Sequence, residues 1–237
     1  MIALIPARAG SKRIPGKNTK LLAGVPLISY TIAAAQQSGV FEDIIVSTDS
    51  QEAITIATAA GVKVSYRLPD HATDDAPDIL WVRHVLSVYP TSELPESFAI
   101  LRPTSPFRTA ETIRRANAQF GAGASSLRAV ARWSGPHPAK MWYLRGDFME
   151  PVDRGWTVGA PYHSSPTQLL PRVVRQNASL EMAYTAVITG SGTIAGHHVA
   201  PFFTEGYEGE DINDEEDWAR VEMLIASGHA RLPEISR

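Results

Sequence analysis

"IALIPARAGSKRIPGKN", Ile2–Asn18, runs from four apolar residues into a loop holding two glycines and four cations, Arg8, Lys12, Arg13 and Lys17. A short apolar run bounded by turn-forming residues reads as a strand buried on both faces. Backbone N–H groups and lysines just beyond such a strand hold phosphate readily. The P-loop pattern G-x-x-x-x-G-K-[ST] is missed twice: five residues separate Gly10 from Gly16, and Asn18 offers no hydroxyl for magnesium. G-x-G-x-x-G is absent too. A solvated basic loop is the alternative, but clustered cations in a chain of net charge −3 argue for an anion site.

Outward from this stretch, strand and helix alternate. "PLISYTIAAAQQSG" predicts a helix, with Pro26 in its first turn and Gly39 at its end. Ile44–Ser47 predicts a second strand. A helix capped by Asp49 or Ser50 and ending at Gly61 follows, then a third strand at Val62–Tyr66. "DDAPDILWVRHVLSVY" predicts a helix with Asp75 or Asp78 near its start. Phe98–Leu101 is a fourth strand, followed by a helix capped by Thr109, and Leu127–Ala131 a fifth. Four alternations predict an α/β fold with a mostly parallel sheet and helices on both faces. Ligands in such sheets bind beyond the C-terminal strand ends. The loops Ala7–Leu21, Ser47–Ser50, Tyr66–Asp78 and Arg102–Thr109 all fall at that edge.

From Trp133 to Arg172 prolines, glycines and aromatics accumulate and helical periodicity stops, which predicts an inserted arm at 133–172 in a single domain of 1–237. Val173–Ile188 is read as strands returning to the core, and "DEEDWARVEMLIASG" as a closing amphipathic helix.

At 237 residues, 44% hydrophobic and 20% charged, the chain fits an ordinary globular protein. Its acidic balance gives no general pull toward nucleic acid. The lack of cysteine removes disulfides and thiolate metal sites. The opening apolar run is far shorter than a membrane span, so no membrane partner and a cytoplasmic location are expected. His137, His163, His197 and His198 are irregularly spaced, and adjacent histidines on a strand point opposite ways, so no histidine metal site is expected.

The loop and its context, "IPARAGSKRIPGKNTKLLAGVPLISYTI", resemble the N-terminal signature of the acylneuraminate cytidylyltransferases, or CMP-sialic acid synthetases. The resemblance continues, in that family's order, through "VSTDS" (Val46–Ser50), "RPTSPFRT" (Arg102–Thr109), "LPRVVRQNAS" (Leu170–Ser179) and "DINDEEDW" (Asp211–Trp218). It implies a Rossmann-like three-layer α/β sandwich with an inserted dimerisation arm. The reaction it implies joins CTP to a nonulosonic, sialic-acid-like sugar, giving a CMP-sugar and pyrophosphate. Alignment of substrates and neutralisation of phosphate charge are the chemical demands.

By this resemblance, Arg8, Ser11, Lys12 and Lys17 face the triphosphate, Lys12 and Lys17 stabilise the leaving pyrophosphate, and Asn18 binds nucleotide through its amide. Arg67 matches the arginine that holds the base, and Asp78 a small polar position near it. Asp211 and Asn213 stand where relatives show D-x-D for Mg²⁺, so Asp211 is the main ligand and Asn213 a neutral second one. Asp214, Glu215 and Glu216 suit a helix start. Arg102 replaces a common sugar-facing glutamine, which points to the substrate carboxylate or to a different acyl group, as in legionaminic or pseudaminic acid. Ser105 either joins the sugar side or caps the following turn. Gln176 and Asn177 are sugar contacts, with Ala178 standing where relatives have glycine. Lys140 and Arg172, on the arm, are expected to act in trans in a homodimer. Two alternatives stay open. One is the same fold using GTP or another sugar acid such as Kdo. The other is a non-catalytic nucleotide-binding regulatory protein, favoured by the missing carboxylate at Asn213.

Overall fold

The computed structural model describes residues 1–121 and 123–235. Seven strands form the main sheet: β1 (Ile2–Pro6), β2 (Asp43–Thr48), β3 (Lys63–Tyr66), β4 (Ser97–Ile100), β5 (Ser126–Arg132), β6 (Val174–Tyr184) and β7 (Val199–Phe203). Their order is β7-β5-β6-β4-β1-β2-β3. β1 pairs in parallel with β2 and β4, β2 with β3, and β5 with β7, while β6 runs antiparallel to β4.

The helices are α1 (Leu27–Ser38), α2 (Gln51–Ala59), α3 (Asp78–Leu86), α4 (Ala110–Gln119), α5 (Thr185–Ser191) and α6 (Glu215–Ala226). Side chains alternate across a strand, and β1 shows the result. Ala3 and Ile5 join a core with Ile28 and Ile32 of α1, Ala53 of α2 and Ile113 of α4. Ile2 and Leu4 join another with Trp81, Val82 and Val85 of α3 and Ile188 of α5. This is the expected three-layer α/β arrangement. A third cluster sits under the opening loop: Ile14, Leu22 and Leu27 pack with Phe107, Ile212 and, from α6, Trp218 and Val221.

Local chemistry sets the helix ends. Gly39 stops α1 in the left-handed conformation at φ 65°. Ser50 caps α2 by accepting from Ala53 N, and Thr109 and Thr112 form a reciprocal capping box on α4. Asp214 caps α6, accepting from Glu216 N and Asp217 N, with Glu215, Glu216 and Asp217 in the first turn. Of the two candidate acids, Asp78 is the first residue of α3.

Two expectations are corrected. The return segment is strand only to Tyr184, and Thr185–Ser191 is the short helix α5. His197 and His198 precede β7 instead of lying on a strand, and β7 itself was not foreseen.

The chain divides into two compact units. Met1–Val130 with Asn177–Arg237 carries the sheet core and the six helices. Ala131–Gln176 spans the segment read as an arm and contains two short antiparallel ribbons: Trp142–Arg145 with Phe148–Pro151, and Trp156–Thr157 with Ala160–Pro161. Among the described residues, no helix is long and apolar enough to cross a membrane.

Candidate active site

Within the first unit a cleft of about 560 Å³ opens beyond the C-terminal ends of β1, β3 and β4, where parallel sheets bind their ligands. The opening loop supplies Arg8, Ser11, Lys12, Arg13, Lys17 and Asn18. The other loops bring Arg67, Asp78, Arg102 and Asn213. Residues more than a hundred positions apart thus meet at one cavity.

The loop's shape is held by its backbone and one anchor. Ile14 is buried in the third cluster, Lys17 N donates to Ile14 O, and Thr19 N and Lys20 N donate to Gly16 O. Gly16 sits at φ 61°, a conformation that other residues rarely adopt. Thr48 Oγ1 and Ala9 N tie the start of the loop to its neighbours, through Ala7 O at 2.5 Å and Asp49 Oδ1 at 2.7 Å. Asn18 Nδ2 donates to Arg8 O at 3.2 Å, so in this state its amide braces the loop.

The cations are not idle. Arg8 Nη2 and Lys12 Nζ both pair with Asp74, at 2.6 and 2.5 Å. Hydrogen bonds from Lys12 and then Arg8 hold the Asp74 carboxyl below its ordinary pKa. Lys17 Nζ donates to Ile212 O at 2.7 Å, joining the opening loop to the Asp211–Asn213 segment 195 residues away. Burial pushes the Lys17 pKa down, Asp211 opposes the shift, and Arg13 adds to it.

Arg67 is buried, with Nε donating to Ser47 Oγ at 3.2 Å and its guanidinium 4.7 Å from the centre of the Trp81 ring. Its Nη2 has no hydrogen-bond partner. Desolvation pushes its pKa down to about 10, against the pull of Asp78 and Asp49. An unsatisfied buried donor beside a cavity fits a ligand oxygen. Asp78 accepts from Trp81 Nε1 at 2.7 Å and from Arg102 Nη2 at 2.5 Å. Burial opposes its ionisation, but Arg102, Trp81 and Arg67 outweigh that and hold its pKa below the usual value. Arg102 Nη2 also donates to Glu181 Oε1 at 2.9 Å.

Arg108, fully buried, supports this loop from below. Its guanidinium donates to Arg102 O, Ser179 O and Thr31 Oγ1. With no carboxylate bonded to it among the described residues, desolvation pushes its pKa down to about 9.

At Asp211, Oδ2 accepts from Asn213 Nδ2 at 3.0 Å, whereas Oδ1 is buried without a hydrogen-bond partner. A carboxylate oxygen left bare costs free energy unless a cation satisfies it. The pair therefore fits a hard cation with oxygen ligands. No cluster of three or more His, Cys, Asp or Glu suited to a metal occurs among the described residues.

Other anticipated residues lie elsewhere. Ser105 is buried and its hydroxyl has no partner. Asn177 is buried too: Nδ2 donates to Thr204 Oγ1 and Oδ1 accepts from Ser179 N. A Cβ on Gly209 would stand 2.7 Å from Asn177 Nδ2, so this asparagine is packed on glycine backbone. Lys140, Arg172 and Gln176 belong to the second unit. There Lys140 Nζ donates to His163 O and Ser165 O, at 2.9 and 2.5 Å, while Arg172 and Gln176 are exposed.

Sequence reasoning missed Asp74, Trp81, Glu181 and Arg128. Glu181 left a trace: an acid inside the apolar run "SLEMAY" must find a cation if the strand is buried. Arg128 Nη1 and Arg102 Nη2 are its partners.

Comparison with known proteins identifies relatives of the whole chain and of its first half. The family model described as Cytidylyltransferase matches residues 2–120. CMP-N,N′-diacetyllegionaminic acid synthase of Legionella pneumophila is 50% identical over 231 residues, covering 95% of this chain and 96% of that one. N-acylneuraminate cytidylyltransferase of Escherichia coli is 47% identical over 108 residues, 46% of this chain and 25% of that one. The solved structure of CMP:2-keto-3-deoxy-manno-octonic acid synthetase complexed with CTP superposes with a TM-score of 0.67 over 96% of this chain and 98% of that one. At 14% identity it attests the fold. The chain belongs to the cytidylyltransferase family, as an enzyme of its acylneuraminate type.

Proposed function

We propose that the enzyme transfers CMP from CTP to a nonulosonic acid carrying acylamino groups, of the N,N′-diacetyllegionaminic type, and releases pyrophosphate. The observation that carries this reading is the single cleft that gathers the opening-loop cations with Arg67, Asp78 and Arg102. The 50% identity along nearly the full chain to a diacetyllegionaminic acid synthase supports the sugar.

In this reading Arg8, Ser11, Lys12 and Lys17 hold the triphosphate, which displaces Asp74 as the partner of Arg8 and Lys12. Arg67 Nη2 donates to an oxygen of the base, and Asn18 keeps the loop in shape beside the nucleotide. The anomeric hydroxyl of the sugar attacks the α-phosphorus. A new O–P bond forms as the bond from the α-phosphorus to the bridging oxygen of the β-phosphate breaks, and the proton of the attacking hydroxyl passes to water. Lys12 and Lys17 meet the charge that collects on the departing pyrophosphate. Asp211 and Asn213 are the residues that would hold Mg²⁺, supported by the bare Oδ1; when bound, the ion supplies positive charge to the phosphates.

A cytoplasmic homodimer belongs to the same reading. The second unit exposes Leu144, Phe148, Met149 and Trp156 at 77, 79, 64 and 67%, and a partner subunit would cover such side chains. Lys140, Arg172 and Gln176 are then candidates to serve the partner's sugar. A monomeric mass at micromolar concentration in analytical ultracentrifugation would remove the dimer from the reading.

The direct test is pyrophosphate release with CTP, GTP, UTP and ATP against N,N′-diacetyllegionaminic acid, pseudaminic acid, N-acetylneuraminic acid and Kdo. CTP with the diacetylated acid is expected to give the highest kcat/KM. A higher value with GTP, or with Kdo, overturns the assignment of base or sugar.

A further inference from the structure

Arg67 is a buried cation with no anion bonded to it. It is 4% exposed, and among the described residues it makes no ion pair. Two anions, Asp78 and Asp49, and two cations, Arg8 and Arg102, act on it from the surrounding elements. Desolvation outweighs them, yet a pKa of about 10 leaves the guanidinium charged at neutral pH. Two contacts without formal charge hold the side chain instead. Nε donates to Ser47 Oγ at 3.2 Å, and the guanidinium lies 4.7 Å from the centre of the Trp81 ring. A desolvated guanidinium over an indole is held by the ring's quadrupole as well as by contact.

Both holders are themselves fixed. Ser47 is fully buried on β2, and the next residue, Thr48, accepts from Arg67 N at 2.8 Å, which carries the β2–β3 ladder up to the arginine. Trp81 is 1% exposed and packs among Ile2, Leu4, Val85 and Phe98, while its Nε1 donates to Asp78 Oδ1 at 2.7 Å. Trp81 and Arg67 nonetheless both line the cleft. Left over is Arg67 Nη2, with two N–H donors and no partner.

A guanidinium only donates, so it reads a base by its acceptors. Cytosine offers two side by side, O2 and N3. Uracil keeps O2 but carries a hydrogen on N3, which would face a donor. A guanidinium held at one angle meets that clash, whereas a loose one tilts toward the O2 that both bases share. Selectivity between the two bases therefore depends on how firmly the arginine is held.

We infer that Ser47 and Trp81 are positioning residues that fix Arg67 and so set the preference for cytosine over uracil. This rests on the functional reading above, in which Arg67 meets the base.

The test measures kcat/KM for CTP and for UTP with N,N′-diacetyllegionaminic acid. Inhibition by inorganic tripolyphosphate is measured beside it, as a probe of the opening-loop cations alone. Ser47→Ala deletes the partner of Nε and is expected to lower the CTP:UTP ratio roughly tenfold, the effect of one lost hydrogen bond to a charged group. Trp81→Phe keeps an aromatic ring in the core but gives up the stronger indole face, and should lower the ratio about threefold. Tripolyphosphate inhibition should stay within about twofold in both, since the triphosphate clamp shares no bond with either residue. Arg67→Met should lower the ratio at least as far, and adding Ser47→Ala to it should change nothing more, because the serine then has no guanidinium to hold. An unchanged ratio in both single variants overturns the inference. So does an equal fall for CTP and UTP with weakened tripolyphosphate inhibition, which would make the two residues general supports of the cleft. A further drop on adding Ser47→Ala to Arg67→Met would show that Ser47 acts without the arginine, and overturns it as well. A wild type that uses CTP and UTP alike, or releases no pyrophosphate with any sugar acid, defeats the functional reading instead, and the inference falls with it.

Discussion

Lys17→Ala lowers turnover with CTP by roughly 10²–10³-fold, the usual consequence of deleting one preorganised group that meets developing charge. Lys17 lines the cleft, its ammonium is half-buried, and its bond to Ile212 O aims it between the opening loop and the Asp211 segment. The loop itself does not depend on the side chain. Its turn is closed by backbone bonds to Ile14 O and Gly16 O, and Ile14 anchors it in the third core cluster. Circular dichroism and the melting transition should therefore stay close to wild type while pyrophosphate release collapses. Wild-type turnover in Lys17→Ala would take the residue out of the site.

The same residue gives a pH signature. Burial pushes its pKa below that of an ordinary lysine, and Asp211 restores only part of the shift. The useful charge is present at low pH and is lost as pH rises through a value below the usual lysine range. Since kcat/KM reports groups of the free enzyme, its alkaline limb for CTP should shift upward in Lys17→Arg, whose guanidinium stays charged. An alkaline limb in the same position in Lys17→Arg would assign it to another group.

The sheet was legible in part because β1, β2 and β4 are buried on both faces and so appear as continuous apolar runs. Helix ends were legible where one residue decides them, as at Gly39 and Thr109. Strand order was not, because inserting the antiparallel β6 between β4 and β5 depends on contacts with no local sign. Thr185–Ser191, "TAVITGS", carries β-branched residues that suggest strand. It is helical with Ile188 packed among Trp81 and Val85 of α3, so packing overrides propensity. β7 is short and contains Pro201, which weakens its signal.

The candidate site divides in the same way. The cations of the opening loop are visible because they cluster within a few residues. The ion pairs that organise the cleft are not: Arg102 and Glu181 stand 79 residues apart, and Arg8 lies far in sequence from Asp74. Only folding shows that Arg102 is bonded to Asp78 and Glu181, and that Asn177 spends its amide on Thr204.

Asp211 and Asn213 yield a prediction with opposite signs in two variants. Asp211→Ala removes a carboxylate with a bare, buried oxygen and should lower Mg²⁺-supported pyrophosphate release by roughly a hundredfold or more, the scale of a lost metal contribution. Asn213→Asp restores a second carboxylate. Without metal, it sets two acids against each other where Asn213 Nδ2 now donates to Asp211 Oδ2 at 3.0 Å, so the metal-free melting temperature should fall. With Mg²⁺ the same two acids bind more tightly, because affinity rises with ligand charge. By mass action, the Mg²⁺-induced rise in melting temperature should exceed that of wild type. The backbone bond from Asn213 N to Asp217 Oδ2, and the Asp214 cap on α6, use groups that the substitution leaves alone, so the segment keeps its course. Thermal unfolding with and without Mg²⁺ reads both effects without reference to turnover. If Asp211→Ala responds to Mg²⁺ as wild type does, and Asn213→Asp shows no larger rise, the ion is held by other residues.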